Sequence, residues 1–319
     1  MRGARAGTVM ATRSNRPSRA VAPAAASRPG SAVLPVLAVA AGIGVFSMMD
    51  AAMKAASLAM GVGTALLLRN VFAALLTLPL WLAAGRPLPT RRVLIVHAQR
   101  AGISAAMASL FFYGLTRIPM AEGIALSFIS PIIALYLASL LLGERIRPRA
   151  IAASLLGIVG VLVIGAGRFG GGTYSHEALV GTLAILASAM FYAVNLVFQR
   201  KQALLAGPVE IAQFQNLILA LIFLAFSPLY WTVPDTAGVA VTFIGGLLAT
   251  MALLFLSWGY ARAEAQVLVP IEYTAFGWAA LLGWLFFGET ISIATLAGTA
   301  MIVLGCWIGT QNHAKSSQV

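Results

Sequence analysis

Acidic side chains are scarce in this chain. Nine Asp and Glu stand against 21 Lys and Arg in 319 residues, of which 9% are charged and 60% hydrophobic. Soluble domains carry about 25% charged residues, so this chain cannot cover an apolar core with a polar surface. Cysteine is nearly missing: Cys306 sits inside an apolar run, which excludes a disulfide framework. The histidines, His97, His176 and His313, fall in separate regions and give no metal-ligand spacing, so no metal site and no cofactor is expected. A phosphate-cradling Gly-Lys-Ser/Thr loop is also absent, which excludes ATP-driven chemistry within the chain. No residues favour a Ser–His–Asp grouping, and no enzyme is expected. The net charge of +12 would suit a nucleic acid. However, the basic residues lie between apolar segments and not in one patch interleaved with aromatics, so no nucleic-acid partner is expected.

What the chain has in abundance is apolar runs. A membrane helix needs about 20 mostly apolar residues, and that ruler gives spans at 33–53, 62–84, 93–116, 121–142 and 150–167. Five more follow at 179–199, 210–231, 238–260, 266–287 and 291–311. Turn signals separate them, among them Gly85-Arg86-Pro87, Ile118-Pro119, Arg147-Pro148, Gly170-Gly171-Gly172 and Val233-Pro234-Asp235. Residues 1–32 form a basic tail, with six arginines and no acid before residue 31. Its composition suits a disordered cytoplasmic segment, while its Arg-rich, acid-free pattern leaves a transit peptide open, and a start at Met10 is a further alternative.

The apolar pattern occurs twice, 145 residues apart. Tyr113-Gly114-Leu115-Thr116-Arg117 becomes Trp258-Gly259-Tyr260-Ala261-Arg262, and Gly143-Glu144 becomes Gly288-Glu289. Phe46 and Asp50 become Phe191 and Asn195, and Gly160 becomes Gly305; Arg69-Asn70 becomes Gln215-Asn216 one residue further on. Internal repeats outrank other fold evidence. Each half holds five spans, an odd number, so the second half enters the membrane from the opposite side, as in transporters with inverted repeats. The expected fold is an all-α polytopic membrane protein of ten helices: repeats at 33–167 and 179–311, an outer loop at 168–178 and a short tail at 312–319. Sixteen basic residues then fall in cytoplasmic segments, while Arg117 and Arg168 are left outside. This bias puts both termini in the cytoplasm, and the expected location is the inner (plasma) membrane.

The stretch Ala121-Glu122-Gly123-Ile124-Ala125-Leu126-Ser127-Phe128-Ile129-Ser130-Pro131, followed by Leu142-Gly143-Glu144-Arg145, resembles the fourth helix of the drug/metabolite transporter superfamily, EamA type. Pro270-Ile271-Glu272-Tyr273, followed by Gly288-Glu289, is similar to its ninth helix. Asp50, Lys54, Arg69, His97 and Arg100 resemble positions in the branch that includes S-adenosylmethionine and riboflavin carriers. The resemblance spans residues 33–311 and implies ten helices, no ATP-hydrolysing domain and a central cavity shared by the halves.

Ionisable groups inside spans cost about 2.5–3.5 kcal/mol each on insertion scales and therefore face a partner or a wet cavity. By helical rise, Asp50 lies near the outer end of the first span and at the depth of Arg69, so they can pair. Lys54, one turn after Asp50, competes for it. Their second-half equivalents, Asn195 and Gln215, are neutral amides. Asp50, Arg69, Lys54 and Gln215 are candidates for gating and helix pairing, while Asn195, Ser127, Arg100 and Glu272 are candidates to line the solute pathway. Arg100 and Glu272 lie at similar depth toward the cytoplasm. The counterpart of Glu272 is Ser127, so the acid breaks the symmetry; counter-charge for a cationic solute, proton relay and structural partner of Arg100 all stay open. Tyr113, Trp258 and Tyr273 are candidates to line a pathway for a flat solute, or to anchor the helices at the interface. His97 is expected at the interface, and Glu144 and Glu289 as helix-end groups.

The expected function is gradient-driven secondary transport of a small organic metabolite (cationic, zwitterionic or aromatic) by alternating access. Proton coupling and a homodimer are left open, the bilayer is the second partner, and a passive channel or a non-transporting scaffold is the alternative.

Overall fold

The computed structural model describes residues 33–85, 88–142, 148–169, 176–262, 268 and 271–310. Gly143-Glu144, Arg145, Arg147, Pro270 and both tails lie outside that set. The described residues form helices joined by short turns, with no strand among them. In order they are α1 (Val33–Met60), α2 (Val62–Ala83), α3 (Arg91–Leu115), α4 (Met120–Ser127), α5 (Ser130–Leu142) and α6 (Pro148–Phe169). The second half continues with α7 (His176–Ala203), α8 (Pro208–Phe226), a 3₁₀ turn (Ser227–Leu229), α9 (Thr236–Tyr260), α10 (Thr274–Phe287) and α11 (Ile293–Thr310). Six helices, α1, α2, α3, α7, α8 (with the 3₁₀ turn) and α9, are long and apolar enough to cross a membrane. The chain is an integral membrane protein.

Helix ends follow local chemistry. Asp235 caps α9 by accepting from the Gly238 N–H at 2.8 Å, and Pro208 sits where its missing N–H costs nothing, at the start of α8. Gly288 ends α10 at φ 64°, a left-handed conformation that a side chain resists. The sharp turn sends Glu289 back over Gly283, where an added Cβ would lie within van der Waals overlap of the carboxylate. The Gly-Glu dipeptide that recurs in the sequence is, in its second copy, a device for folding a carboxylate back against its own helix.

Two expectations about spans need correction. α1 does not stop near residue 53 but runs to Met60, because Ala51–Met60 is rich in helix formers and Lys54 finds partners inside the bundle. Asp50 is therefore about 15 Å from the end of α1, by helical rise, and not near it. The 121–142 span is not one helix: it breaks at Phe128 and Ile129 between α4 and α5. Pro131 is the cause. It has no N–H to give the Ser127 carbonyl, and its ring crowds that carbonyl. The Ser130 hydroxyl donates to the Ser127 carbonyl instead, at 2.5 Å, and the Ser127 hydroxyl donates to the Gly123 carbonyl at 2.9 Å. Just before α10, the Thr274 hydroxyl donates to the Ile271 carbonyl at 2.6 Å, also three residues back.

Packing between helices repeats across the halves. α1 packs along α9 and α7 along α3, while α2 packs on α8 and α6 on α11. Replacing each helix by its counterpart 145 residues on leaves this set unchanged. Small residues allow it, since lipid offers no hydrophobic drive between helices and close van der Waals packing must hold them. A Cβ at Gly114 would reach 2.8 Å from the Gly181 carbonyl, and one at its counterpart Gly259 would reach 3.1 Å from the Pro35 carbonyl. On α6, a Cβ at Gly160 would reach 2.6 Å from the Gly298 carbonyl.

Candidate solute pathway and its two ends

Polar groups gather at both ends of the bundle. One end is where α3 begins, α7 and α9 finish and α8 begins. On α3, His97, Arg100 and Ser104 are spaced to share one face, and α7 sets Asn195 and Gln202 against them. The Arg100 Nε donates to Asn195 Oδ1 at 3.1 Å, and its Nη1 donates to Gln202 Oε1. Ser104 also donates to Asn195 Oδ1 at 3.1 Å, and Gln215 on α8 donates to Ser104 at 3.0 Å. The Gln202 amide donates to His97 Nδ1, which leaves the ring proton on Nε2, 3.5 Å from Glu210 Oε1. A hydrogen-bonded chain thus runs Gln215–Ser104–Asn195–Arg100–Gln202–His97, and Glu210 stands beyond the ring without a hydrogen bond to it. Asn195, Gln202 and His97 are buried, whereas Arg100 is half-buried. Gln215 Oε1 is buried with no partner.

Glu272 stands beside this chain. It is exposed and accepts a hydrogen bond from the Tyr260 hydroxyl at the end of α9. Tyr192 on α7 lies within electrostatic reach of both Arg100 and Glu272. Arg100 and Glu272 form no ion pair with each other; the amides of α7 take the hydrogen bonds that Glu272 was a candidate to receive.

At the opposite end, Lys54 forms an ion pair with Glu289 and donates to the Ile118 carbonyl at 2.9 Å, with its Nζ 5.0 Å from the centre of the Phe287 ring. The other Glu289 oxygen accepts from the Met120 N–H at 2.7 Å, at the start of α4. One carboxylate so ties α1, α4 and α10 together. A negative group is favoured there because the first N–H groups of a helix lack partners. Lys54 does not compete for Asp50, because Glu289 holds it. Between the two ends, Asp50 is 2% exposed and senses the charge of Arg69, though the two form no ion pair. Arg69 Nη2 donates to Asn70 Oδ1 at 3.4 Å, and Nη1 lies 3.8 Å from Met49 Sδ.

Tyr113 and Trp258 sit in matching settings. Arg117 lies over the Tyr113 ring at 3.5 Å and donates to the Tyr113 carbonyl; Arg262 lies over the Trp258 ring at 4.3 Å and donates to the Trp258 carbonyl, each bond 3.1 Å long. The same aromatic–cation pairing thus recurs at the last turn of α3 and of α9. Tyr273 packs its ring on Phe128 at 5.1 Å.

Several site residues escaped sequence reasoning. Gln202 and Ser104 are polar residues seven after Asn195 and four after Arg100, so helical spacing alone put them on the right faces. Glu289 is a helix-end group, directly after the Gly288 cap of α10, but nothing in its neighbourhood of sequence points to Lys54, 235 residues away. His97, expected at the interface, is wholly buried and stacks on Phe214 at 5.7 Å, because α7 and α8 cover the first turns of α3.

Residues 33–166 and 179–310 each match the EamA-like transporter family. A pseudopaline exporter of Pseudomonas aeruginosa is 31% identical, over 82% of this chain and 90% of that protein. A riboflavin transporter of Brucella anthropi is 26% identical, over 73% of this chain and 82% of its own length. An S-adenosylmethionine uptake transporter of Rickettsia prowazekii is 25% identical, over 74% and 78%. One crystal structure shares the fold with a TM-score of 0.59 at 24% identity, covering 88% of this chain and 98% of the other. The chain belongs to the EamA-like transporter family, a drug/metabolite transporter, and is not an enzyme.

Proposed function

From that membership we propose a gradient-driven secondary transporter of a small organic metabolite, working by alternating access between two inverted repeats of five spans. The six long helices and the further apolar segments at Met120–Ala134, Ser154–Ala166, Thr274–Phe287 and Ile293–Gly305 support ten spans. The charge bias of the loops supports both termini in the cytoplasm of a cell with this protein in its inner membrane.

The observation that carries the reading is the contrast between the two ends. At the Lys54–Glu289 end, opposite charges are paired and three helices are tied together. At the other end, Arg100 and Glu272 carry opposite charges that do not meet, with Tyr192 within reach of both. A zwitterionic solute fits this arrangement, with its anionic group toward Arg100 and its cationic group toward Glu272. Its apolar body lies toward Tyr192 and, deeper, Tyr273. The helix breaks at Phe128 and Tyr273 interrupt the backbone ladder at depth, where the Ser130 and Thr274 hydroxyls meet the carbonyls of Ser127 and Ile271, and such breaks are tolerated only inside protein or beside a wet cavity. The Lys54–Glu289 ion pair, with Asp50 and Arg69 below it, forms the outer closure in the state described. The relatives named above carry pseudopaline, riboflavin and S-adenosylmethionine, and they support a solute of metabolite size.

Purified protein in vesicles tests this. A carrier accelerates uptake of labelled solute when unlabelled solute is trapped inside, and its rate saturates; a channel shows neither. Glu272→Gln should lower that exchange sharply at unchanged protein abundance. Linear, unsaturable flux without counterflow overturns the carrier in favour of the channel.

A further inference from the structure

The two halves put a guanidinium beside corresponding positions of α1 and α7, but they deliver it from different helices. In the first half α2 supplies Arg69 to Asp50, and Gly245 on the adjacent α9 gives Arg69 room, with an added Cβ 4.0 Å from its Cγ. In the second half the counterpart of Asp50 is Asn195, and that of Gly245 is Arg100, which binds Asn195 at 3.1 Å. The residue corresponding to Arg69 is Gln215, which reaches Asn195 through Ser104. The cation has moved from α2 to α3.

The change from Asp50 to Asn195 has an electrostatic consequence. Asp50 puts an ionisable carboxyl near Arg69, although the two form no ion pair. Asn195 and Gln202 offer Arg100 carbonyl oxygens, which satisfy its N–H groups and leave its charge in place. Among the described residues no carboxylate pairs with Arg100, since Glu210 faces His97 and Glu272 takes the Tyr260 hydroxyl. An unanswered charge at such depth is costly, whereas a guanidinium held in place by amides is pre-oriented for a planar two-oxygen anion. Its half-burial leaves part of it open.

We propose that Arg100 is the docking group for a carboxylate on the transported solute, and that Asn195 is neutral so that this site stays positive. This rests on the transport reading above and names the chemistry of its solute. The position that is an acid in the first half is an amide in the second because the solute supplies the acid.

Benzoate, a minimal carboxylate on a flat apolar body, is the probe, with benzamide as its neutral match. Binding is read by calorimetry on full-length protein in nanodiscs of phosphatidylcholine, up to about 20 mM, the range where weak single-group contacts appear. The wild type should bind benzoate and not benzamide. Arg100→Lys should weaken binding, and Arg100→Gln should remove it. Asn195→Asp should also remove it, while the melting temperature of the empty protein stays level or rises, because an internal carboxylate then answers Arg100. Equal binding of benzamide, no binding of benzoate by the wild type, or unchanged binding by Arg100→Gln each overturns the proposal. Displacement of benzoate by added phosphatidylglycerol, in the wild type but not in Arg100→Lys, makes a lipid headgroup the occupant and also overturns it. Failure here and failure of the transport reading are separable. Counterflow of a solute lacking any anionic group keeps transport and sinks this site. Benzoate binding as expected, without counterflow of any metabolite, does the reverse.

Discussion

The rings of Phe128 and Tyr273 meet edge to face, with centroids 5.1 Å apart and planes at 89°. These two residues are counterparts in the internal repeat, 145 positions apart. If the halves are related by a two-fold axis, residues that touch their own counterparts lie on it, so this contact marks where the axis runs. Both residues also sit at helix breaks, between α4 and α5 and just before α10. The break sites of the two halves therefore meet each other.

That contact should be energetically coupled. Aromatic pairs in this geometry contribute about 0.5–1.5 kcal/mol beyond area burial. A double-mutant cycle with Phe128→Leu and Tyr273→Leu, read by thermal unfolding in detergent, should give coupling of about 1 kcal/mol. Additive single effects would mean that the rings touch without holding each other.

The two charges at the closed end should be energetically coupled. Glu289→Gln and Lys54→Met each break the ion pair between α1 and the end of α10, and each should destabilise by up to about 3 kcal/mol. The double variant should lose less than the sum of the two single losses, because both single changes break the same ion pair. The Lys54–Glu289 end should also open more readily, measured as faster labelling of a cysteine placed at the buried Thr64. A double variant that loses the full sum of the two contradicts this account.

The helix break should depend on Pro131. Pro131→Ala restores the N–H that the Ser127 carbonyl lacks, so α4 and α5 should join into one helix. The variant should melt at a higher temperature and transport more slowly. Ser130→Ala should do the opposite to stability, by about 1–2 kcal/mol, because it leaves the Ser127 carbonyl without its donor. Unchanged melting of both variants would remove the proline and serine as causes of the break.

Close approach of helices should make equivalent glycines equally intolerant. Gly114→Ala and Gly259→Ala each force a Cβ to within about 3 Å of a carbonyl oxygen, and overpacking of this kind costs about 1–3 kcal/mol. Thermal unfolding should show losses of similar size in the two halves. Gly102→Ala, where nothing lies within 4 Å of the added atom, should be neutral.

Much of this protein could be read without a structure. Composition and run length identify the membrane class because each apolar segment answers to the bilayer by itself. The repeat identifies the halves because the 145-residue offset survives in Tyr113/Trp258 and Gly143-Glu144/Gly288-Glu289, and the structure then places Arg117 and Arg262 over their rings in the same way. The expense of intramembrane charge singled out Arg100 as a candidate site residue. The choice of partners was a different matter. Lys54 lies one turn from Asp50 and was expected to compete for it, yet it pairs with Glu289 from the far end of the chain. Arg100 and Glu272 match in depth, but α7 stands alongside α3 and its amides take the guanidinium. Depth along a helix follows from counting residues. Which side of the helix faces which neighbour depends on how the glycine-lined helices settle against one another, and no local pattern encodes that rotation. Sequence thus determined which charged residues lie within apolar segments, and tertiary packing decided which of them are buried and which meet.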